Sequence, residues 1–485
     1  MKTFAKYIYL LGLMAIVTSC EKTLEVTPQS EFSPESLLTS EAGIKSVLFS
    51  AYAESQQQNS TRYVINNSEM CTDMAYNTGG AENGQLITII NFTWDASLGT
   101  FSADVWSPNY RSIRDANNVL QNIAQVNTSD ANKKLFTAEA RVLRAQAYAT
   151  LYSWFGPVPL RTPETQTGDL AKATDQEMKD FIEKDITESL ADLPDPGKEV
   201  AFGRYNKGVA NAILAKFYLN TKQWQKAADA AKAVMDFNYY ILYPGFAEMF
   251  RIENKMNKEM ISVVPCRPED PFGNWFQAGA LPPAYKSSAQ FPGFTYKASM
   301  SNFATQYRLR TGFVNTFAPN DKRLSLICTS YVNSSDVVVN LSAGDNARSF
   351  KYWDNNTVGN NSGTDVPVLR YSDILLTRAE ALNEISGPGT ESFTLINLVR
   401  RRAGLADLDL INTPTKDAFR DAVLRERGWE FVTEAKRRED LIRHGKFISS
   451  ALARGITNAN PNRILFPIPQ SEIDANKLCV QNTGY

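Results

Sequence analysis

Apolar residues recur at three- and four-residue spacing over much of the chain, the pattern of helices that bury one face. In segment 139–154 this face is continuous, and Gly156-Pro157 ends the predicted helix. Thr174-Asp-Gln-Glu177 has the capping-box pattern, so a second helix is predicted to begin there and to run toward Pro194. Segments 206–219 and 223–236 show the same spacing and are separated by only three residues. The pattern therefore predicts helical hairpins.

The hairpin at 206–236 matches the register of a tetratricopeptide repeat, a pair of helices of about 34 residues. Leu214, Ala215, Tyr218 and Ala227 occupy the positions of that template. A single hairpin cannot bury its outer face, so further hairpins are expected. Helical spacing indeed recurs at 372–384 with 391–402, at 418–434 with 439–447, and near the N-terminus at 40–52 and 105–123. We expect an all-α fold: a tetratricopeptide-like scaffold of about four hairpins.

Two long segments lack this periodicity and are predicted to be irregular insertions. The first, about 59–99, is largely polar, and the second, about 265–301, is rich in proline, glycine and aromatic residues. Long loops in compact proteins are usually functional or disordered, and a loop crowded with aromatics is a poor candidate for disorder. The insertions are therefore the first places to look for a binding surface.

The N-terminus has the pattern of an export signal. Lys2 and Lys6 precede an apolar run over 7–17, which is shorter than a membrane-spanning helix needs. Val17-Thr-Ser-Cys20 resembles a relaxed bacterial lipoprotein box, with ordinary secretion and nearby cleavage as the alternative. We expect a signal peptide over 1–19, lipidation of Cys20, a tether over 20–32 and a single domain over 33–485, with its C-terminal half beginning near 302.

Charge and composition then reduce the number of possible functions. With 51 basic and 52 acidic residues the net charge is -1, so there is no global basic field that would favour nucleic acid. The 7 Trp, 20 Tyr and 26 Phe contrast with a single histidine, His444. A lone histidine argues against Ser-His-Asp and Cys-His catalysis and excludes every metal site built on several histidines. An enzyme that uses a pair of carboxylates remains compatible with this composition.

Other residues that could carry chemistry are better explained as scaffold. Cys71, Cys266, Cys328 and Cys479 are scattered and form no CxxC pair, so no metal or redox motif is present, and disulfides and buried thiols both remain open. His444 is expected at the end of a scaffold helix, where a cation suits the helix dipole. The run 400–402 of three arginines is expected to be solvated or ion-paired, because helical spacing points its members in different directions.

Distinct motifs follow one another along the chain: Glu139–Tyr148, Trp154–Leu160, Gly203-Arg204, Lys207-Gly208, Leu214–Tyr218, Leu369–Leu376, Arg378–Asn383, Ile396–Leu405, Leu424–Arg427, Leu465–Ile473 and Gln481–Tyr485. These blocks resemble those of the SusD/RagB family of nutrient-binding outer-membrane lipoproteins of Bacteroidetes, over essentially the whole mature chain. Where the family usually has Arg-Trp-Phe-Asp-Leu, this chain has Arg437-Arg-Glu-Asp-Leu441, a departure that makes the packing of that helix uncertain.

The resemblance implies a binding protein and not an enzyme, with no cofactor. Such a protein sits at the cell surface on a lipid anchor and acts as a lid over a TonB-dependent transporter of the SusC type, to which it delivers a glycan. Capture of peptides or of another nutrient is the nearest alternative. An all-helical glycoside hydrolase with paired carboxylates and a peptide-gripping repeat scaffold are more distant rivals.

A glycan site needs exposed aromatic faces beside groups that hydrogen-bond to hydroxyls. The resemblance implies that ligand binds through the two insertions, and within them the residue types indicate individual candidates. Each aromatic candidate has the alternative role of anchoring its loop in the core. Arg308 and Arg310 could contact an anionic ligand or pair with nearby carboxylates. The predicted ligand-binding residues are Asp73, Tyr76, Asn77 and Trp94 in the first insertion and Trp275, Phe276 and Tyr296 in the second.

Overall fold

The computed structural model describes residues 38–55, 61–77, 79–80, 82–304 and 307–485. The predicted signal peptide, Cys20 and the tether lie outside the described residues. Helices dominate the described part: α1 Glu41–Ser55, α2 Thr61–Glu69, α3 Asn83–Asn91, α4 Ser107–Asn122, α5 Asp130–Phe155, α6 Asp175–Thr187, α7 Lys207–Asn220, α8 Trp224–Asp236, α9 Phe276–Ala280, α10 Thr311–Val314, α11 Tyr371–Ser386, α12 Thr390–Arg402, α13 Lys416–Glu430, α14 Arg437–Arg443, α15 Phe447–Ala453 and α16 Gln470–Ala475.

The predicted helices form, and their ends follow local chemistry. The Thr174 hydroxyl accepts a hydrogen bond from the Glu177 amide while the Glu177 carboxylate accepts from the Thr174 amide, which completes the predicted capping box of α6. Asn206 caps α7 by accepting from the amide of Val209. Helix α7 packs against α8, α8 against α11, and α11 against α12 and α13. The all-α fold is confirmed, and this succession of packed hairpins is consistent with the tetratricopeptide register.

The first insertion contains more regular structure than its polar sequence predicts. Helices α2 and α3 lie within 59–99, so the expectation of an irregular loop over that whole segment was wrong. Leu86, Ile89 and Ile90 are buried on one face of α3, a short apolar stripe that the surrounding polar residues conceal in the sequence. The second insertion is irregular, as predicted, apart from α9 and one three-residue strand.

Short strands, which the helical pattern did not predict, connect the insertions to the scaffold. The strands are β1 Ala75–Tyr76, β2 Met260–Val264, β3 Tyr285–Ser287, β4 Arg308–Leu309, β5 Ile327–Cys328, β6 Ser330–Asn333, β7 Val338–Asn340, β8 Arg348–Ser349 and β9 Val366–Arg370. β2 pairs antiparallel with β9, and that pairing joins the middle of the chain to the start of α11. β1 pairs antiparallel with β4, so Tyr76 of the first insertion lies opposite Arg308.

The charged residues that replace aromatics in α14 are all accommodated. The Arg438 guanidinium lies over the ring of Phe466, 4.2 Å from its centroid, and so fills apolar space with its planar face. The Glu439 carboxylate lies 3.0 Å from the Lys216 Nζ and accepts a hydrogen bond of 2.6 Å from the hydroxyl of Ser153. Helix α14 is therefore well packed despite the departure from the family pattern.

The histidine and the run of arginines that were expected to have structural roles do have them. His444 ends α14 with its Nε2 3.0 Å from Glu380 Oε1. Members of the 400–402 run pair with separate carboxylates, Arg400 with Glu426 and Arg402 with Glu259, which confirms the ion-paired interpretation. All four described cysteines are buried free thiols. In the described part of the chain, no helix has both the length and the apolar character that crossing a bilayer requires.

Candidate functional site

Three of the predicted ligand-binding residues lie in the core. Trp94 is 1% exposed, donates its indole N–H to the Tyr485 hydroxyl at 2.7 Å, and packs against Phe466. Phe276 is fully buried, with its ring edge against neighbouring aromatic rings. Asn77 is also fully buried, and its side-chain oxygen accepts from the amide of Gly79. These side chains fix the insertions to the scaffold and have no surface to present to a sugar, which corrects their expected placement.

Asp73 is one-third exposed, but both of its carboxylate oxygens are occupied by one partner. The Arg437 guanidinium donates to them at 2.8 and 2.7 Å in a bidentate pair. Burial raises the pKa of Asp73, but the Arg437 guanidinium outweighs this and holds the pKa below its ordinary value. Asp73 is thus an ion-pair partner that joins the first insertion to α14.

Trp275 belongs to an aromatic patch in which the two insertions meet. The Arg62 guanidinium lies 4.9 Å from the ring centroid of Tyr63, 5.8 Å from that of Trp275 and 5.2 Å from that of Phe303. Trp275 is half-buried and donates its indole N–H to the Asn361 side-chain oxygen at 2.8 Å. We call Tyr63, Trp275 and Phe303, grouped around Arg62, the aromatic patch.

A carboxylate holds the Arg62 side chain in place. Its guanidinium pairs with the carboxylate of Glu82, so the cation that organises the three rings is fixed by an acid of the first insertion. Half-buried rings beside amide and carboxylate oxygens are the mixture that sugar rings and their hydroxyls require. The aromatic patch is therefore the best-formed candidate binding surface of the insertions.

Tyr76 lies on a neighbouring surface that is rich in arginine. Its backbone pairs with Arg308, and the Arg310 guanidinium lies 4.8 Å from its ring centroid. The segment 303–310 connects this surface to the aromatic patch, because it begins with Phe303 and ends with Arg310. Tyr76 and Trp275, predicted independently, are thus brought to two ends of one short segment.

Tyr296 lies in a different part of the second insertion. It is half-buried, donates its hydroxyl to the backbone oxygen of Met300 at 2.7 Å, and packs on the separate apolar cluster that includes Tyr285 and Phe291. These contacts make Tyr296 a loop anchor with one partly exposed face.

Several members of the aromatic patch could not be predicted from the sequence. Arg62 and Tyr63 lie inside the segment that was predicted to be an insertion, and Phe303 lies just beyond the other one, but nothing in the local sequence pairs them. Asn361 belongs to a polar loop 86 residues away from its partner Trp275. Their juxtaposition depends on the strand pairings and not on a local motif.

A second opening lies on the hairpin side of the molecule. This cavity of about 300 Å³ is lined by residues of α5, α7, β9 and α14, among them Tyr152, Lys216, Phe217 and Glu439. Two of its charged groups, Lys216 and Glu439, pair with each other. It is separate from the surface on which the two insertions meet.

Comparisons with known proteins agree with this architecture. Residues 329–485 match the model of the SusD family, and residues 22–219 match a model described as starch-binding, associating with outer membrane. The chain is 24% identical over 519 residues to a SusD-like protein of Formosa agariphila, with 96% of this chain and 97% of that protein covered. It is also 24% identical over 423 residues to the starch-binding protein SusD of Bacteroides thetaiotaomicron, with 74% of each chain covered. The solved structure of a laminarin-binding SusD-like protein shares the fold, with a TM-score of 0.77 and 23% identity over 92% of this chain and 100% of that one.

Proposed function

Because the chain belongs to the SusD family, we propose that it is a lipid-anchored protein of the cell surface that captures a glycan. In this proposal it delivers the glycan to a TonB-dependent outer-membrane transporter of the SusC type. The observation that carries the proposal is the aromatic patch, in which rings from both insertions surround one buried guanidinium. The starch-binding and laminarin-binding relatives support a glycan as the ligand.

The charges of this surface favour binding over catalysis. Hydrolysis of a glycosidic bond by the usual route needs two carboxyl groups free to act as acid and as base or nucleophile. The acids that lie at the two candidate surfaces are paired with arginine: Glu82 with Arg62 at the aromatic patch. Near Tyr76, Asp73 pairs with Arg437 and Asp345 with Arg310. Release of oligosaccharide from polysaccharides incubated with the purified protein would nevertheless establish the hydrolase instead.

The first prediction concerns Trp275. Once a panel of oligosaccharides and peptides has identified a ligand by calorimetry, Trp275→Ala should weaken its binding about tenfold or more, because truncating a central aromatic anchor typically costs on the order of 2 kcal/mol. Trp224→Ala, which removes a half-buried tryptophan from the helical scaffold, is the matched control and should bind normally. Equal affinity of the two variants would remove the aromatic patch from the proposal, and a panel in which only peptides bind would replace the glycan by a peptide.

A second prediction concerns the anchor. Cys20→Ala should move the protein from the membrane fraction to the soluble fraction of cells that lack the transporter, because acyl chains contribute about 0.8 kcal/mol per buried methylene. Fractionation and immunoblotting measure this. Cys479→Ala removes a cysteine that is buried far along the chain and should leave the protein with the membrane. Membrane association of the Cys20 variant would refute the lipid anchor.

A further inference from the structure

The surface around Tyr76 carries more positive than negative charge. Among the described residues, only two carboxylates, Asp73 and Asp345, lie within ion-pair distance of any of the five guanidinium groups there, although the chain as a whole has a net charge of -1. We call these five side chains the arginine cluster: Arg308, Arg310, Arg348, Arg437 and Arg454. A local excess of one charge in a balanced protein calls for a physical explanation.

The cluster is assembled from four separate parts of the chain. Arg308 and Arg310 belong to β4 and the residue after it, and the neighbouring Leu309 donates its amide to Ala347, which brings β8 with Arg348 alongside. Arg454 directly follows α15, and its guanidinium donates to the backbone oxygen of Cys71 at 2.9 Å. Arg437 comes from α14 and holds Asp73. The tertiary fold, and not a basic run in the sequence, concentrates the charge.

Two ion pairs use up the available carboxylates. Asp73 is bound by Arg437, and Asp345 lies 3.6 Å from Arg310. Within the described residues, Arg308, Arg348 and Arg454 have no carboxylate within ion-pair distance. Three guanidinium groups of the arginine cluster are therefore left without a counter-charge.

The hydrogen bonds of these three arginines confirm the deficit. Arg348 is fully buried, yet it donates only to neutral oxygens, those of Asn346, Ala304 and Tyr307. The Nε atoms of Arg308 and Arg454 are buried and have no acceptor within the described part of the protein. Leaving a buried charged donor unpaired costs more than leaving a neutral one unpaired, so a negative charge bound beside these guanidinium groups would be favourable.

The pKa values of two of these guanidinium groups reflect the same lack of counter-charge. Burial, followed by the charge of Arg308, lowers the pKa of Arg348 to about 9. Burial, followed by the charge of Arg310, lowers the pKa of Arg454 to about 10. Elsewhere the fold supplies carboxylates to its buried arginines, as it does for Arg370, which contacts three.

We propose that Tyr76 and the half-buried members of the arginine cluster, Arg308, Arg310 and Arg454, bind an acidic sugar unit of the glycan, one that carries a carboxylate or a sulfate group. The inference rests on the proposed glycan capture and names its ligand class. Guanidinium groups match the planar geometry of such oxyanions and form charge-assisted hydrogen bonds with them. The anion would supply the missing counter-charge, while the rings of Tyr76 and of the aromatic patch contact the sugar faces.

Calorimetry on the full-length protein in detergent tests this proposal. Polygalacturonate is compared with its methyl ester, and a sulfated galactan with its desulfated form, so each acidic polymer has a neutral partner of the same backbone. We expect an acidic polymer to bind at least tenfold more tightly than its neutral partner, with an affinity that falls as salt is raised. The pair that shows this preference identifies the carboxylate or the sulfate.

Variants locate the binding. Arg308→Gln and Arg454→Gln should each weaken the binding of the acidic polymer about tenfold, since a hydrogen bond to a charged group contributes about 1.5–3 kcal/mol. Arg401→Gln removes the same charge from an exposed pair with Asp407 and should bind normally. Thermal unfolding confirms that each variant is folded, and two independent variants guard against misfolding of one.

The other outcomes are equally informative. Neutral and acidic partners that bind with equal affinity would overturn the acidic-sugar inference and leave glycan capture intact. Polyglutamate that binds as tightly as the acidic polysaccharides would also overturn it, because the surface would then select charge without sugar. If no polysaccharide binds, neutral or acidic, then glycan capture fails and the inference fails with it.

Discussion

Arg370→Met is expected to lower the free energy of unfolding by about 3–5 kcal/mol, because it removes a cation that contacts three buried carboxylates and leaves the network with an excess of negative charge. Arg370 is 1% exposed and lies where β9 ends and α11 begins. Its guanidinium donates to Glu259 at 2.7 Å, to Glu430 at 2.8 Å and to Glu434 at 2.9 Å. Chemical denaturation followed by tryptophan fluorescence and circular dichroism measures the loss.

The matched control is Arg401→Met. Arg401 pairs with Asp407 at a side-chain exposure of 61%, and exposed pairs contribute about 0–1 kcal/mol. The contrast separates the effect of burial from that of removing an arginine. An Arg370 variant that unfolds at the same denaturant concentration as the Arg401 variant would contradict the view that this network holds the C-terminal helices onto the central strands.

The second large effect is a pH dependence centred on Glu69, the last residue of α2. Glu69 is fully buried, accepts from the Ala435 amide at 2.9 Å, and accepts from the hydroxyl of Tyr307. Burial raises the pKa of its carboxyl from 4.5 to about 7. One carboxyl thus joins the first insertion, the segment before β4 and the turn after α13.

The sign of the effect follows from proton uptake. Because the folded pKa exceeds the ordinary value, the folded protein binds a proton between about pH 4.5 and 7 that the unfolded chain does not. The stability that this proton contributes is fully present below about pH 4.5 and is lost progressively as the pH rises to about 7. At about 1.4 kcal/mol per pKa unit, the loss is on the order of 3 kcal/mol.

Glu69→Gln should abolish this component, since the amide keeps an oxygen for Ala435 and has no proton to lose. Denaturation curves of the parent and the variant at pH 5 and pH 8 give the difference directly. Glu188→Gln, at an exposed ion pair with Arg141, controls for the loss of a carboxylate and should behave as the parent. If the parent and the Glu69 variant lose the same stability between the two pH values, the carboxyl does not titrate as inferred.

The helical scaffold could be predicted because its signals are local. The capping box at Thr174 forms as the sequence indicates, and the side-chain cap at Asn206 likewise acts within three residues. Where the prediction from the sequence was wrong, contacts between residues far apart in the chain determined the structure. The predicted helix over 418–434 ends at Glu430, and Thr433 and Ala435 adopt positive φ angles of 61° and 59° in the turn that delivers Glu434 to Arg370 and the Ala435 amide to Glu69.

The sequence by itself determined the class of fold and the family, and it predicted the two insertions as the regions that hold a ligand. Only the tertiary structure decided which aromatic side chains remain at the surface. Trp94 is buried by Tyr485, 391 residues away, whereas Trp275 stays half-buried in a patch built from both insertions. Likewise Asp73 forms an ion pair with Arg437, while Arg308 has no carboxylate partner in the part of the chain that the structure describes. The physical reason is that periodicity and capping act between neighbours in the chain, whereas exposure and charge compensation are set by partners hundreds of residues apart.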